Sequence, residues 1–340
     1  MGSVKDLQVS ESPSGMNAGT GRFRFSDRYS VFDWGMMPQE IGDKGKALAV
    51  TGAYFFELFE KNGMKTHYRG LVEDGKAKRL DELNGPSEEM EVDIVRVIKP
   101  EKKDGRFDYS AYEGERGNFL IPLEVIYRNR LPAGSSVFRR LEEGSITPAD
   151  IGFSRTPEPD TILDEPMFDV STKLEPTDRY ITWAEAAEMG RLSGDELEDI
   201  KGVLNKVNGL ITEVAAAGGM ENVDGKIELA FNGERRIMIV DVAGTPDECR
   251  FTYKGMNVSK EIARDYYRRT DWYSRLRDAQ KELGSDWKGR FTENPPDLPG
   301  ELAVLLSQIY TSAANALTGR GWFDSPPLAE VLEGIRKFLG

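Results

Sequence analysis

Apolar positions recur at spacings of three and four along Leu197, Ile200, Leu204, Val207, Ile211 and Val214, which predicts a long amphipathic helix ended by Gly218. The same period runs from about Ala47 to Asn62, with Leu48, Tyr54, Phe55 and Leu58 on the apolar side and Gly63 as the stop. Hydroxyls three residues before a glutamate, Thr182 with Glu185 and Ser193 with Glu196, mark two helix starts. Elsewhere the period falls to two. Glu91 to Ile98 alternates as a strand, Leu123 to Tyr127 reads as another, and Gly2 to Val9 pairs with Arg22 to Phe25 across a glycine-rich turn at Ser10 to Gly21. Pro100 to Gly117 reads as a surface insertion and Ser145 to Asp178, rich in Pro, Thr and acids, as a long loop. Beyond Asp271, Trp272 to Leu283 suggests a helix and Asn294 to Pro299 a linker. Glu301 to Leu317 and Leu328 to Leu339 are amphipathic, and either pack back on the protein or form a homo-oligomer contact.

One alternating pair carries more than a core face. Lys226 to Phe231, Asn232-Gly233 and Glu234 to Val242 read as a hairpin, because Asn-Gly suits a two-residue type I′ turn. That turn would place Asp224 opposite Asp241, Lys226 opposite Ile239 and Glu228 opposite Ile237, all on one side, with Ile227, Leu229, Phe231, Met238 and Val240 on the core side. Along a flat strand Glu228 would then stand about 13 Å from Asp241. Three acids and a lysine on one strand pair make either a solvated polar face or a magnesium-nucleotide site, with carboxylates on the hard cation and Lys226 on a phosphate oxygen. A second polar cluster surrounds the small-residue turn Pro132 to Ser136. Arg128, Arg130, Arg139 and Arg140 flank it, and guanidinium forks beside a Gly-Ser turn suit a phosphate or carboxylate when they are not simply a solvated rim.

Composition narrows the choice. The 340 residues exceed one ordinary domain, and the net charge of −13 argues against a nucleic-acid or anionic-membrane binder, so an anionic ligand needs a local basic pocket. Cys249 is the only cysteine and His67 the only histidine, which excludes an internal disulfide and multi-histidine or cysteine-rich metal sites. Without an apolar run near 18 residues or a leader-like start, the reading is a cytoplasmic protein acting on small molecules, with neither nucleic acid nor membrane as a partner.

The ordered motifs resemble those of the SAICAR synthetases, ATP-dependent ligases that join aspartate to carboxyaminoimidazole ribonucleotide in purine synthesis. Gly2-Ser3-Val4-Lys5-Asp6-Leu7 is similar to the family's G-K-V-R/K-D-I/L opening along the ATP phosphates, with Ser3 where lysine is usual, so phosphate contact would fall on Lys5. Ser26 to Asp33 and Gln39 to Gly45 resemble the D-R-x-S-A-Y/F-D and I-P-x-K-G elements, which makes Ser30, Asp33 and Lys44 candidates for the substrate pocket. The Arg128 turn resembles R-N/G-x-x-(x)-G-S. Asp164 to Glu175, with its Thr172-Lys173 pair, resembles P-x-F-x-P-S/T-T-K-x-E, and Thr177 stands where a histidine is often found. Asp224-Gly225-Lys226-Ile227-Glu228 is similar to D-x-K-x-E and Asp241 to the first acid of the next motif, in which Val242 replaces a usual glutamate.

The resemblance implies an α+β, two-lobed fold: an antiparallel-sheet N-terminal lobe over 1–98, an ATP-grasp-like lobe over 99–270 and a helical C-terminal extension over 271–340. It implies ATP and Mg2+ as cofactors, with Lys5, Lys226, Glu228 and Asp241 on the nucleotide and Glu228 and Asp241 on the metal. Thr245 to Arg250 resembles S/T-P-D-x-x-R and puts Arg250, Arg128 and Ser135 on the ribonucleotide phosphate. Ser259 to Tyr266 looks like the D-K-x-x-x-R helix, whose Lys260 and Arg264, four apart, share one face. Asp224, Lys226, Lys260 and Arg264 are the implied catalytic set. Two rivals stay open: a related ligase with another amine or acid, and a nucleotide-binding paralogue without catalysis.

Overall fold

The computed structural model describes residues 4–32 and 34–340, without the side chain of Ser285. Strand β1 (Lys5–Glu11) and β2 (Gly19–Phe25) form the first hairpin, and helix α1 (Lys44–Lys61) then turns back across it. Gly45 permits that turn: a Cβ there would lie 2.9 Å from the Phe25 carbonyl. β3 (Tyr68–Glu73), β4 (Lys76–Lys78) and β5 (Glu89–Ile94) complete a five-stranded antiparallel sheet in the order β1-β2-β5-β3-β4.

The small hairpin of β6 (Glu101–Lys103) and β7 (Arg106–Asp108) occupies the expected surface insertion. Its sequel is not superficial: Tyr109 and Tyr112 are buried, and the Tyr112 ring meets Phe119 edge-on at 5.7 Å. Phe119 opens β8 (Phe119–Leu131), longer than the strand read from the sequence. α2 (Ser136–Glu142) follows the small-residue turn, with Ser135 as its cap.

The stretch expected as a long loop contains the twelve-residue strand β9 (Thr161–Thr172). Its polarity hid it. Among the described strands β9 pairs only with β8, its last residues also bridging Arg179 to Ile181, so as an edge strand it tolerates acids, and Pro166 falls in the register break between the Arg128–Met167 and Arg130–Ile162 pairs, where no ladder bond is needed from it.

α3 (Trp183–Gly190) and α4 (Gly194–Ala217) start at Thr182 and Ser193 as expected, although only Ser193 has a reciprocal box, because the Glu185 carboxylate pairs with Arg179 instead. β10 (Glu221–Phe231), β11 (Ile237–Val240), β12 (Cys249–Tyr253) and β13 (Met256–Asn257) complete the second sheet, ordered β13-β12-β10-β8-β9 with β11 also on β10.

The β10–β11 register differs from the expected one. Asn232 to Arg236 forms a five-residue loop rather than a two-residue turn: the Asn232 side chain accepts from the Glu234 and Arg236 amides, and Arg235 takes a left-handed backbone with φ 57°. Glu228 therefore faces Val240, and Phe231 faces Ile237. Met238 and Val240 move off the main core face to join Ala230, Val95 and Leu120 in a smaller apolar cluster, while Ile239 joins the main core.

The chain ends in α5 (Glu261–Tyr267), α6 (Asp271–Leu283), α7 (Trp287–Arg290), α8 (Gly300–Thr318) and α9 (Leu328–Leu339). α8 lies against α1 and α4, α9 lies on α8, and one continuous core runs through these helices to both sheets. The amphipathic C-terminal helices thus pack back on their own chain.

Candidate active site

A cleft of about 500 Å3 opens on the face of the second sheet, walled by β8, β10, the turn after β8, the loop before β12 and the start of α5. Gly225 sits on its floor, where a Cβ would lie 2.3 Å from the Tyr127 hydroxyl; only glycine lets β10 pass this close to β8.

At one end the sheet register itself builds an arginine cradle. Asp224 of β10 stands directly opposite Arg128 of β8 on one side and Arg250 of β12 on the other, not opposite Asp241. Arg250 grips it bidentately, Nε to Oδ1 at 2.8 Å and Nη2 to Oδ2 at 2.5 Å. Arg128 is 2% exposed and lies 3.5 Å from Asp224 and 3.3 Å from Asp169, while also donating to Ser135 Oγ and Ser136 Oγ. Against its burial, Tyr180 and then these two acids hold its guanidinium pKa above the ordinary value. Asp169 also pairs with Arg140, whose guanidinium lies over the Tyr180 ring.

At the other end, a row of alternating charge starts in the cleft lining with Glu124, Lys226 and Glu248 and runs on past the lining through Lys173, Glu228, Asp241 and Lys5, where three acids and one lysine were expected. Glu124 and Glu228 are directly opposed across β8 and β10. Lys173 bridges these like charges, reaching Glu124 at 2.9 Å and Glu228 at 2.6 Å, and Lys226 reaches Glu124 at 3.0 Å and Glu248 at 3.6 Å. Asp241 pairs with Lys5 at 2.8 Å. Its left-handed backbone, φ 64°, breaks the strand alternation after Val240, and its charge then bears directly on Glu228. Burial and that neighbouring charge push the Glu228 carboxyl well above the usual carboxylate range. The same backbone turn offers the Asp241 carbonyl to buried His67 Nε2 at 3.1 Å, and burial holds this imidazole down to about 4.

The remaining predicted residues divide. Lys260 and Arg264 line the cleft from α5, Arg264 paired with Glu261. Ser135 lies beneath the turn, buried, as the cap of α2. Lys44 stands behind the wall: fully buried, it pairs with Asp247 at 2.7 Å, and Asp247 rather than Lys44 faces the cleft. Ser30 is half-buried and outside the cleft lining, bridged to Met36. Asp33, Gly2 and Ser3 lie outside the described residues. Glu124, Lys173, Glu248 and Asp247 were not singled out in advance, although a glutamate inside the apolar run of β8 and the lysine of the Thr172-Lys173 pair were visible signals.

The SAICAR synthetase family model matches residues 15–283. The chain belongs to the SAICAR synthetase family. A protein of Archaeoglobus fulgidus provisionally named phosphoribosylaminoimidazole-succinocarboxamide synthase is 48% identical over 339 residues, covering all of both chains. The synthase of Thermoplasma acidophilum is 32% identical over 307 residues, 88% of this chain and 93% of its own. Among solved structures, SAICAR synthase from Saccharomyces cerevisiae complexed with SAICAR has a TM-score of 0.64 at 21% identity, covering 95% of this chain and 94% of its own. A SAICAR synthetase in complex with ADP has a TM-score of 0.55 at 23% identity, over 88% and 99%. The two-lobed α+β fold expected from the motifs is the fold of these SAICAR synthetases. The family carries out the ATP-dependent ligase step of purine biosynthesis, and this membership favours neither the different-substrate ligase nor the non-catalytic paralogue. Among the described residues no helix is long and apolar enough to cross a membrane.

Proposed function

We propose that the chain joins the carboxylate of carboxyaminoimidazole ribonucleotide to the amine of L-aspartate at the cost of ATP, as a cytoplasmic enzyme of small molecules. The observation that carries this reading is that one sheet face sets an arginine cradle beside a lysine–carboxylate row that starts in the same cleft, which suits a phosphate-bearing acid placed next to a polyphosphate. Relatives in complex with SAICAR and with ADP support the same pairing of ligands.

In this reading Arg250, 30% exposed at its side chain, meets the ribonucleotide phosphate, while buried Arg128 fixes Asp224 and the Gly134–Ser136 turn beside it. Lys226 and Lys173 face the phosphates to be transferred, with Lys5 closing from β1. The apolar cluster of Val95, Leu120, Ala230, Met238 and Val240 begins where Glu228 stands, opposite Val240, and takes the adenine. Mg2+ suits Glu228 and Asp241: against its burial, Lys5 holds the Asp241 carboxyl below its ordinary value and so ionised, while burial and the Asp241 charge raise Glu228, and a hard divalent cation would relieve that raised carboxyl and also neutralise phosphate charge.

The substrate carboxylate takes the γ-phosphoryl of ATP, and the aspartate amine then displaces phosphate to leave an amide. Activation is required because a carboxylate is a poor electrophile; the side chains supply position and charge, and no side-chain nucleophile is needed. In this reading Lys260 and Arg264, both in the cleft lining, hold the negative charge of the reacting acid.

ADP release tests the reading. Turnover with ATP, ribonucleotide and aspartate together, lost when either of the last two is withheld, is expected. Equal turnover with aspartate replaced by another amine would favour a different ligase.

A further inference from the structure

One link in the cleft wall comes from a helix that lies beyond the matched residues 15–283. Asp247 lines the cleft between Pro246 and Glu248, and both of its oxygens are engaged from behind. Oδ2 pairs with fully buried Lys44 at 2.7 Å, and Oδ1 accepts from the hydroxyl of Tyr310, on α8, at 2.8 Å. The lysine Nζ also lies 5.3 Å from the centre of the Tyr310 ring. Tyr310 is 1% exposed, so its ring and hydroxyl are fixed by packing rather than by solvent. α8 is tied to the loop before α1 by Ser307 Oγ, which donates to the Gly42 carbonyl at 2.7 Å, and so approaches Lys44 and Asp247 in one piece.

We infer that Tyr310 is a positioning residue of the ligase site: its hydroxyl and ring hold the Lys44–Asp247 pair so that Asp247 stands in the cleft wall beside Lys260. The inference rests on the ligase reading above. A buried lysine with one carboxylate partner has a large desolvation penalty, and a carboxylate with one oxygen left unbonded would rotate toward Lys260 and Arg264. The phenol prevents this by occupying Oδ1. Neither the lysine nor the tyrosine lines the cleft, so an effect on turnover passes through the two lining residues that the Tyr310 hydroxyl meets, the Asp247 carboxylate and the Lys260 backbone. The C-terminal segment would then be part of the working site and not only a support for α1.

Tyr310→Phe removes the donor and keeps the ring. Steady-state ADP release should show kcat lowered about tenfold with the KM for ATP unchanged, because the nucleotide end of the cleft does not depend on this link. Thr311→Val, on the same helix but bonded to Ser325, should leave kcat at the parent value. In an Asp247→Asn background, Tyr310→Phe should cause a much smaller further loss than in the parent, since the residue acts mainly through that carboxylate. A Tyr310→Phe enzyme as fast as the parent, or losses that multiply in the double variant, would overturn the inference. If Tyr310→Phe does not fold, 4-aminophenylalanine and 4-methylphenylalanine at position 310 replace it: similar shape, with and without a donor. The donor form should be the faster by a similar factor, and equal rates would overturn the inference. A parent chain that releases no ADP would instead defeat the ligase reading, and the inference with it.

Discussion

The two ends of the cleft are built from the same kinds of charge but balanced oppositely. The cradle sets three arginines (Arg128, Arg140, Arg250) against two aspartates (Asp169, Asp224), a surplus of one positive charge. The row sets three lysines (Lys5, Lys173, Lys226) against four carboxylates (Glu124, Glu228, Asp241, Glu248), so it balances while Glu228, with its raised pKa, keeps its proton, and it carries one negative charge more than positive once Glu228 ionises. One end is short of an anion, and the other becomes short of a cation when Glu228 gives up its proton. They also differ in stiffness: guanidinium forks in register with a carboxylate leave few alternative geometries, whereas lysines are single-point donors on flexible stems that can exchange partners when a ligand arrives. A protein with −13 net charge can thus hold a phosphorylated acid, because the positive surplus is local and set by strand register.

The largest effect should come from breaking the cradle. Asp224→Ala leaves Arg128 and Arg250 without their shared partner; we expect a loss of about 3 to 5 kcal/mol in guanidinium unfolding, and turnover lower by on the order of 100-fold or more. A variant that keeps its stability would mean that solvent already screens the triplet.

Acid should attack the opposite end first. His67, neutral and buried on the Asp241 carbonyl, has a folded pKa near 4, below the unfolded value of 6.5, so the unfolded chain takes up the proton more readily. Stability is therefore complete above pH 6.5 and falls as pH drops toward 4, by about 3 kcal/mol. Urea unfolding at pH 7, 5.5 and 4 should show this fall in the parent and less of it in His67→Phe; equal slopes would remove His67 from the account.

The smallest effect should have the opposite sign. Glu228 is raised by burial and by Asp241, so its ionisation costs stability that is intact below the ordinary glutamate range and is lost as pH rises through the raised pKa. Glu228→Gln should be more stable than the parent by about 2 kcal/mol at pH 8, and no more stable at pH 4, while turning over far more slowly. Such a gain on removing a charge is the mark of a site held ready for a cation.

The sequence made the periodic elements plain and left the register obscure. α4 and α9 could be read because their apolar stripes face the core directly, and Leu328–Leu339 has the bounds expected. β9 escaped because an edge strand need not be apolar or free of proline. The β10–β11 turn misled for a tertiary reason. Arg235, in the loop, pairs with Glu196 at the start of α4 and lies over the Phe231 ring, so contacts far away in sequence hold open a turn that Asn-Gly would otherwise close in two residues. That change brings Glu228 from its expected distance to the position beside Asp241. Lys44 was a fair candidate by motif, yet whether a lysine faces a cleft or stands behind an aspartate depends on α8, about 260 residues along the chain.

Calorimetric titration of the two variants with each ligand separately tests the central asymmetry most directly. Asp224→Ala should lose the ribonucleotide while still binding magnesium ATP, and Glu228→Gln should lose magnesium ATP while still binding the ribonucleotide. If both variants lost both ligands to the same degree, or if Glu228→Gln bound magnesium ATP as the parent does, the opposite balance of the two ends would not be what sorts the ligands.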